Sequence, residues 1–338
     1  MQRTSAFAAG AALAALLLAG CGGQATVPSG TTPLPTSPPV TPKVSAEYSI
    51  PAASSQPASI TPFTDGSLFF TEAAAGNIGQ LQTSGTIVET ALPNPASKPA
   101  DITLGPDGAI WFTENVGNNI GRFAPVTRVF TEYAVPTANA GLLGIVTGSD
   151  GRLWFTEQNA NQIGAIAPST GTVTEYPIPT AGAQPDLIAA GSDGALWFTE
   201  PGADAIGRIT TSGSVTQYPL PTANADPTDI VPGSDNALWF CESGAGKIGR
   251  ITVNGTISEF SSSPSTDPSG LVQGADGNFY FTDPSANQIG RFQPTGNAVT
   301  MYPIPTAGSD PTGITLGFDQ RIYFVETQGN KIGQFQYF

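Results

Sequence analysis

The feature that most constrains this chain is an eight-residue phrase, Asp193-Gly194-Ala195-Leu196-Trp197-Phe198-Thr199-Glu200, which returns with small changes six more times. The other copies begin at Asp65, Asp107, Asp150, Asp235, Asp276 and Asp319, so successive copies lie 41 to 43 residues apart. One such unit, made of short apolar runs and Asp-Gly turns, is too small to bury its own apolar face, whereas stacked copies bury one another's. Period and turn chemistry together predict an all-β chain folded as a seven-bladed β-propeller of four-stranded blades.

One unit divides into four strands. An inner run such as Pro227-Thr228-Asp229-Ile230-Val231-Pro232 is followed by the turn and the Leu-Trp-Phe-Thr-Glu strand. A third strand resembles Lys247-Ile248-Gly249-Arg250-Ile251, and a fourth resembles Thr172-Val173-Thr174-Glu175-Tyr176-Pro177. Successive side chains on a strand face opposite ways. In the second strand the aromatic (Phe69, Trp111, Trp154, Trp197, Trp239, Tyr280 or Tyr323) therefore points to one neighbouring blade and its flanking apolar residues to the other. These aromatics read as core, because a site residue has no reason to recur in every blade. The last repeat stops at Ile332-Gly333-Gln334-Phe335 without a fourth strand, while Glu47-Tyr48-Ser49-Ile50-Pro51 resembles a fourth strand with no blade before it. The N-terminal strand is expected to complete the last blade, covering two edges that would otherwise invite aggregation.

Upstream of the repeats the composition changes twice. Residues 1–20 read as a secretory signal, with Arg3 at the start and an apolar run from Ala6 to Ala19 that is short for a membrane span. It ends in Leu18-Ala19-Gly20-Cys21, which resembles a bacterial lipobox and implies cleavage before a lipidated Cys21. Residues 21–43 are rich in Pro, Thr and Ser without apolar periodicity, and read as an extended tether. The propeller is assigned to residues 44–338. This organisation predicts an extracytoplasmic protein held to a bacterial membrane by lipid, on the periplasmic side or the cell surface. The second cysteine, Cys241, stands where most copies carry Thr and reads as a small buried residue.

Charge narrows the partners. The chain has 26 acidic and 12 basic residues, a net charge of −14, which repels nucleic acid and suits a cation or cationic ligand. It contains no histidine, the side chain most used as a base near neutral pH. Two sets of acids are candidates for chemistry. Glu72, Glu114, Glu157, Glu200, Glu242, Asp283 and Glu326 end the second strands and form a ring. Either they accept hydrogen bonds from turns or pair with arginines such as Arg122, Arg208, Arg250 and Arg291, or one or two bind a divalent cation near the channel mouth. In the inner strands, Asp226, Asp267 and Asp310 precede a Pro, and Asp101, Asp186 and Asp229 follow one. They read either as turn formers or as a negative mouth suited to a hard cation.

The phrases "GPDGAIWFTE" at 105–114, "TEYPIPT" at 174–180, "NQIGRF" at 287–292 and "DPTGITLG" at 310–317 resemble the virginiamycin B lyase (streptogramin lyase) family of seven-bladed propellers. That resemblance, covering roughly residues 46 to 338, implies a Mg²⁺-dependent elimination that opens the ester of cyclic streptogramin B antibiotics. It places the family's two histidines on Ser269 and Thr312 and its two acids on Asp310 and Glu326. Both carboxylates are present in kind, so metal binding by Asp310 and Glu326 is an expectation. Neither Ser nor Thr acts as a base at neutral pH without an activating neighbour. The sequence therefore supports a platform for a small-molecule, glycan or protein ligand with lost or altered catalysis. Its rivals are a Mg²⁺-dependent lyase and a purely structural envelope protein.

Overall fold

The structure, a computed structural model, describes residues 41–338; the expected signal segment and Cys21 with nearly all of its tether lie outside the described residues. The described chain forms seven four-stranded antiparallel sheets. In the first blade these are Pro57–Pro62, Leu68–Glu72, Asn77–Leu81 and Ile87–Ala91, running outward from the axis. The last blade comprises Pro311–Leu316, Ile322–Glu326 and Lys331–Gln336, with Lys43–Ser49 as its outermost strand. Tyr48 pairs with Ile332 and Glu47 with Gly333, so the N-terminal strand closes the ring as expected.

Burial between blades holds the ring together. Trp111 packs with Leu153, Phe155 and Ile166 of the following blade, and Trp154 with Leu196, Phe198 and Ile209 of the one after. Trp197 continues the series with Leu238, Phe240 and Ile251. Within each blade the second-strand Phe lies against the third-strand Gly. A Cβ on Gly207 would come within 2.2 Å of the Phe198 ring, and one on Gly249 within 2.0 Å of Phe240. The recurring Ile-Gly pair is thus a packing requirement.

The start of each second strand is fixed by its turn. The residue after the turn Asp has a positive φ, +77° at Gly194, +61° at Asn236 and +63° at Gln320. Asp193 Oδ1 accepts the Ala195 N–H and the Trp197 indole N–H, each at 3.2 Å, and Oδ2 accepts Arg208 Nε at 2.8 Å. Asp107 does the same for Trp111 and Arg122, and Asp235 for Trp239 and Arg250. Where the aromatic is Tyr280 or Tyr323, its hydroxyl donates to Asp276 or Asp319. The expectation that these arginines pair with the strand-end acids is therefore corrected. Trp197 pairs with Arg208 across the strands, which sets the guanidinium over the turn end, while Glu200 pairs with Ala205 at the other end.

The fourth residue of the second strand stitches neighbouring blades. Thr113 Oγ1 accepts the Asp101 N–H at 3.0 Å and donates to the Leu143 carbonyl of the next blade at 2.6 Å. Thr156 and Thr282 do likewise, reaching the carbonyls of Asp186 and Thr312. Cys241 and Val325 cannot. There an inner-strand threonine reaches across instead, with Thr228 Oγ1 donating to Ser269 O at 3.1 Å and Thr312 Oγ1 to Ala58 O at 3.4 Å. Cys241 itself is fully buried, and burial pushes its thiol pKa well up, as befits an inert core residue.

Candidate functional site

The inner strands surround a cavity of about 580 Å³ on the propeller axis, lined by residues of all seven. In the first blade the strand register shifts between Pro57 and Ile60, and equivalent bulges follow Pro99, Leu142, Pro227 and Pro311. Bulges re-aim side chains. The residues that follow the Pro, or Leu142 in the third blade, line the cavity together with Val146, Val231 and Val272.

Asp101, Asp186 and Asp229 all line this cavity, as the sequence suggested, but in two different ways. Asp101 Oδ1 accepts the Ser59 hydroxyl at 2.6 Å and the Ile102 N–H at 2.8 Å, and Oδ2 accepts the Ile145 N–H of the next blade at 2.7 Å. Asp229 repeats the pattern with the N–H groups of Ile230 and Leu271, each at 2.8 Å. These two carboxyls are bulge staples. Burial, then the approach of the other acids, pushes the Asp229 pKa up to about 7. Asp186 is also raised to about 7, by burial and then by Asp101 and Asp226, and no hydrogen bond reaches its side chain among the described residues.

The acids before the Pro stand outside the lining. Asp226 and Asp310 adopt left-handed backbone with φ of +48° and +53°, consistent with the turn reading. Asp226 Oδ2 accepts the Ser243 hydroxyl at 3.1 Å, and Asp267 Oδ2 that of Ser285 at 2.5 Å.

The ring of strand-end acids also stands outside the channel. All seven, Glu72 through Glu326, are fully buried between strands of their own blades. All seven keep at least one oxygen without a partner among the described residues, and Glu157, Glu242 and Glu326 keep both. Burial raises Glu72 and Glu157 to about 8 and Glu114, Glu200, Glu242 and Glu326 to about 7. A second cause is a facing carboxyl on the outermost strand: Glu175 for Glu157, Glu259 for Glu242 and Glu47 for Glu326. Sequence reasoning passed over these outer acids, although the recurring Thr-Glu-Tyr-Pro phrase carries one of them. They anchor the loop that enters the blade. Glu175 accepts the Thr137 N–H and hydroxyl at 2.9 and 3.1 Å, and Glu259 accepts those of Thr222 at 3.1 and 2.6 Å.

Pro311 pairs with Glu326 across the strands, and the Asp310 carbonyl accepts the N–H of the next residue, Thr327, at 3.1 Å. The Glu326 carboxyl is held up to about 7 by burial and faces Glu47 and Lys331 rather than Asp310. Among the described residues no group of three or more His, Cys, Asp or Glu side chains is arranged to hold a metal ion. Asp310 and Glu326 alone do not supply the oxygen cage that Mg²⁺ or Ca²⁺ requires. Ser269 and Thr312 line the cavity, and each also takes part in a bond between blades, the Ser269 carbonyl accepting the Thr228 hydroxyl and the Thr312 hydroxyl donating to Ala58 O. Within their own blades, Ser269 N–H donates to Thr282 O at 2.9 Å, and Thr312 Oγ1 lies 2.9 Å from Thr327 Oγ1.

Comparison with known proteins agrees with this geometry. Residues 43–266 and 262–337 match the model of the virginiamycin B lyase family. The crystal structure of virginiamycin B lyase from Staphylococcus aureus superposes with a TM-score of 0.82 at 38% identity, covering 87% of this chain and 99% of that one. A streptogramin B lyase structure gives 0.82 at 40% identity, covering 86% and 96%. A catalytically inactive histidine-to-alanine variant of the Staphylococcus aureus enzyme, crystallised with quinupristin, gives 0.83 at 38% identity, covering 87% and 99%. No curated protein matches the chain. The extracellular domain of a Bacteroides thetaiotaomicron hybrid two-component system, at 14% identity and a TM-score of 0.68, shares the fold alone. With the repeat, the ring closure and the family match in agreement over the described propeller, the chain belongs to the virginiamycin B lyase family.

Proposed function

We propose that this protein is a ligand-binding member of its family in which the ester-opening elimination has been lost. The observation that carries the proposal is the absence of any histidine, with the family's histidine positions occupied by Ser269 and Thr312. Elimination needs a base to take a proton from carbon. Thr312 Oγ1 is bonded to Ala58 O and Thr327 Oγ1, and no neighbour that could activate either hydroxyl as a base stands among its hydrogen-bond partners. The channel mouth keeps a cavity of about 580 Å³, within the size range of small-molecule sites. The Staphylococcus aureus relative supports the separation of binding from turnover, since its variant lacking one histidine is inactive and was crystallised with quinupristin.

The test is incubation with a cyclic depsipeptide such as quinupristin, with and without millimolar Mg²⁺, followed by chromatography for the ring-opened product. No product above the protein-free control is expected. Mg²⁺-dependent product that disappears in the Asp310→Asn, Glu326→Gln double variant would establish the lyase reading instead.

The same proposal places the propeller outside the cytoplasm on a lipid anchor at Cys21. Cys21→Ala should shift the protein from the membrane fraction to the soluble fraction, and retention of the variant in membranes would refute the anchor.

A further inference from the structure

Asp186 breaks the repeat at a ring of inner-strand positions that lines the channel. Its counterparts after the inner-strand Pro are Ala58 and Ala100, then Thr228, Ser269 and Thr312, so it is the one acid of its ring. Asp101 and Asp229, one residue further on in their blades, have both oxygens bonded to backbone N–H groups. Asp186 has none of these bonds among the described residues, and its main chain alone serves the blade seam, through its carbonyl to Thr156 and Gly144. It also faces Asp101, Asp226 and Asp229, and no Lys or Arg lines the cavity among the described residues. A partly desolvated carboxyl among like charges, without a donor, gains most from a positive charge brought in from outside.

The rest of the cavity restricts what carries that charge. Leu143, Leu187, Val146, Val231 and Val272 are half-buried along it, leaving aliphatic surface exposed to the channel. Among the described residues no group of three or more His, Cys, Asp or Glu side chains is arranged to hold a metal ion, so a charged group carried on an apolar body suits these walls better than a bare metal cation. The hydroxyls of Thr228 and Ser269 line the same cavity and can accept N–H donors.

We propose that the channel binds an organic ammonium ion with an aliphatic body, its ammonium on the Asp186 carboxylate and its chain among the valines and leucines. This rests on reading the channel mouth as a ligand site, and it names the class of ligand. No bond is made or broken. A proton leaves Asp186 to solvent when the cation binds its ionised form.

The test is calorimetric titration of the full chain carrying Cys21→Ala with n-hexylammonium, hexanol, hexanoate and tetramethylammonium. One hexylammonium should bind per chain, at least tenfold more tightly than hexanol or tetramethylammonium, with hexanoate weakest. Asp186→Asn should lose at least tenfold in hexylammonium affinity, keep its hexanol affinity and melt within about 2 °C of the parent, since no side-chain bond is removed. Equal affinity for hexanol and hexylammonium, or an undiminished hexylammonium affinity in Asp186→Asn, overturns the cation assignment while leaving the channel a ligand site. Binding of none of the four probes overturns this inference, and a separate failure of larger ligands such as quinupristin to bind would be needed to overturn the ligand-site reading itself.

Discussion

Asp193, in the turn before the Leu196–Glu200 strand, and Glu200, at its far end, are both carboxylic acids repeated around the ring, yet the fold holds them in opposite states. Burial pushes Asp193 up, but hydrogen bonds from the Trp197 indole and the Arg208 guanidinium outweigh it and hold the carboxyl below its usual range. Glu200 has a single bond, from Gln217, and burial raises it to about 7. Asp107, Asp150 and Asp235 follow Asp193, while Glu114, Glu157 and Glu242 follow Glu200. Residue type is nearly the same at the two ends, but Asp193 is exposed at its turn whereas Glu200 is fully buried. The supply of donors differs as well: an arginine and an indole at the turn end, against a single amide at Glu200 and a second carboxyl at Glu157, Glu242 and Glu326.

The comparison can be broken first at the ring closure, on which both ends depend. Deleting residues 43–49 removes the strand paired with Lys331–Gln336 and exposes the edge of the last blade. We expect the largest effect here, a fall in melting temperature of more than about 10 °C or loss of a single cooperative transition; an unchanged melt would show that the closure carries no stability.

The donor-rich end comes next. Asp193→Ala leaves the buried Trp197 indole N–H and the Arg208 guanidinium without their acceptor, at a cost of about 2 kcal/mol in denaturant unfolding. A cost within experimental error would mean that water replaces the carboxylate.

The two ends should also respond oppositely to pH. A carboxyl whose folded pKa is below its unfolded value adds stability above that value and loses it as pH falls, which applies to Asp107, Asp150, Asp193 and Asp235 as pH falls below the ordinary Asp value of 3.8. A carboxyl whose folded pKa is raised adds stability that is full below the unfolded value of 4.5 and is lost as pH rises through 7 to 8, which applies to the Glu ring. Melting temperature should therefore peak at about pH 5 and decline on both sides. Glu157→Gln, a neutral isostere, should flatten the alkaline limb and leave the acid limb unchanged. A melting temperature that rises from pH 5 to pH 8 would contradict the neutral state of the ring.

The smallest expected effect concerns the turn itself. Gln320 holds φ at +63° where five other copies of the phrase place Gly, at a cost of about 1 kcal/mol. Gln320→Gly should recover up to that amount in chemical denaturation, and a destabilised variant would show that the Gln side chain contributes a contact of its own.

The periodicity made the blades, the aromatic core and the closure legible, because each follows from which side chains must face a neighbour. Arg208 was misassigned because spacing along the chain does not say which end of the adjacent strand it reaches; the register with Trp197 does. The separation of Asp186 from Asp101 and Asp229 was not legible, since it depends on a bulge that offers N–H groups to one position and not to the next. Likewise the compensation of Cys241 by Thr228 needs two strands of neighbouring blades in place at once.

The central claim is that residues repeated in every blade hold the fold, and that the residue breaking the pattern at the channel carries the binding. The most direct measurement sets Asp193→Ala beside Asp186→Asn and records melting temperature and hexylammonium affinity for each. Asp193→Ala should melt several degrees lower with its affinity unchanged, and Asp186→Asn should melt with the parent and lose at least tenfold in affinity. Equal loss of melting temperature in both variants, or unchanged affinity in both, would contradict the claim.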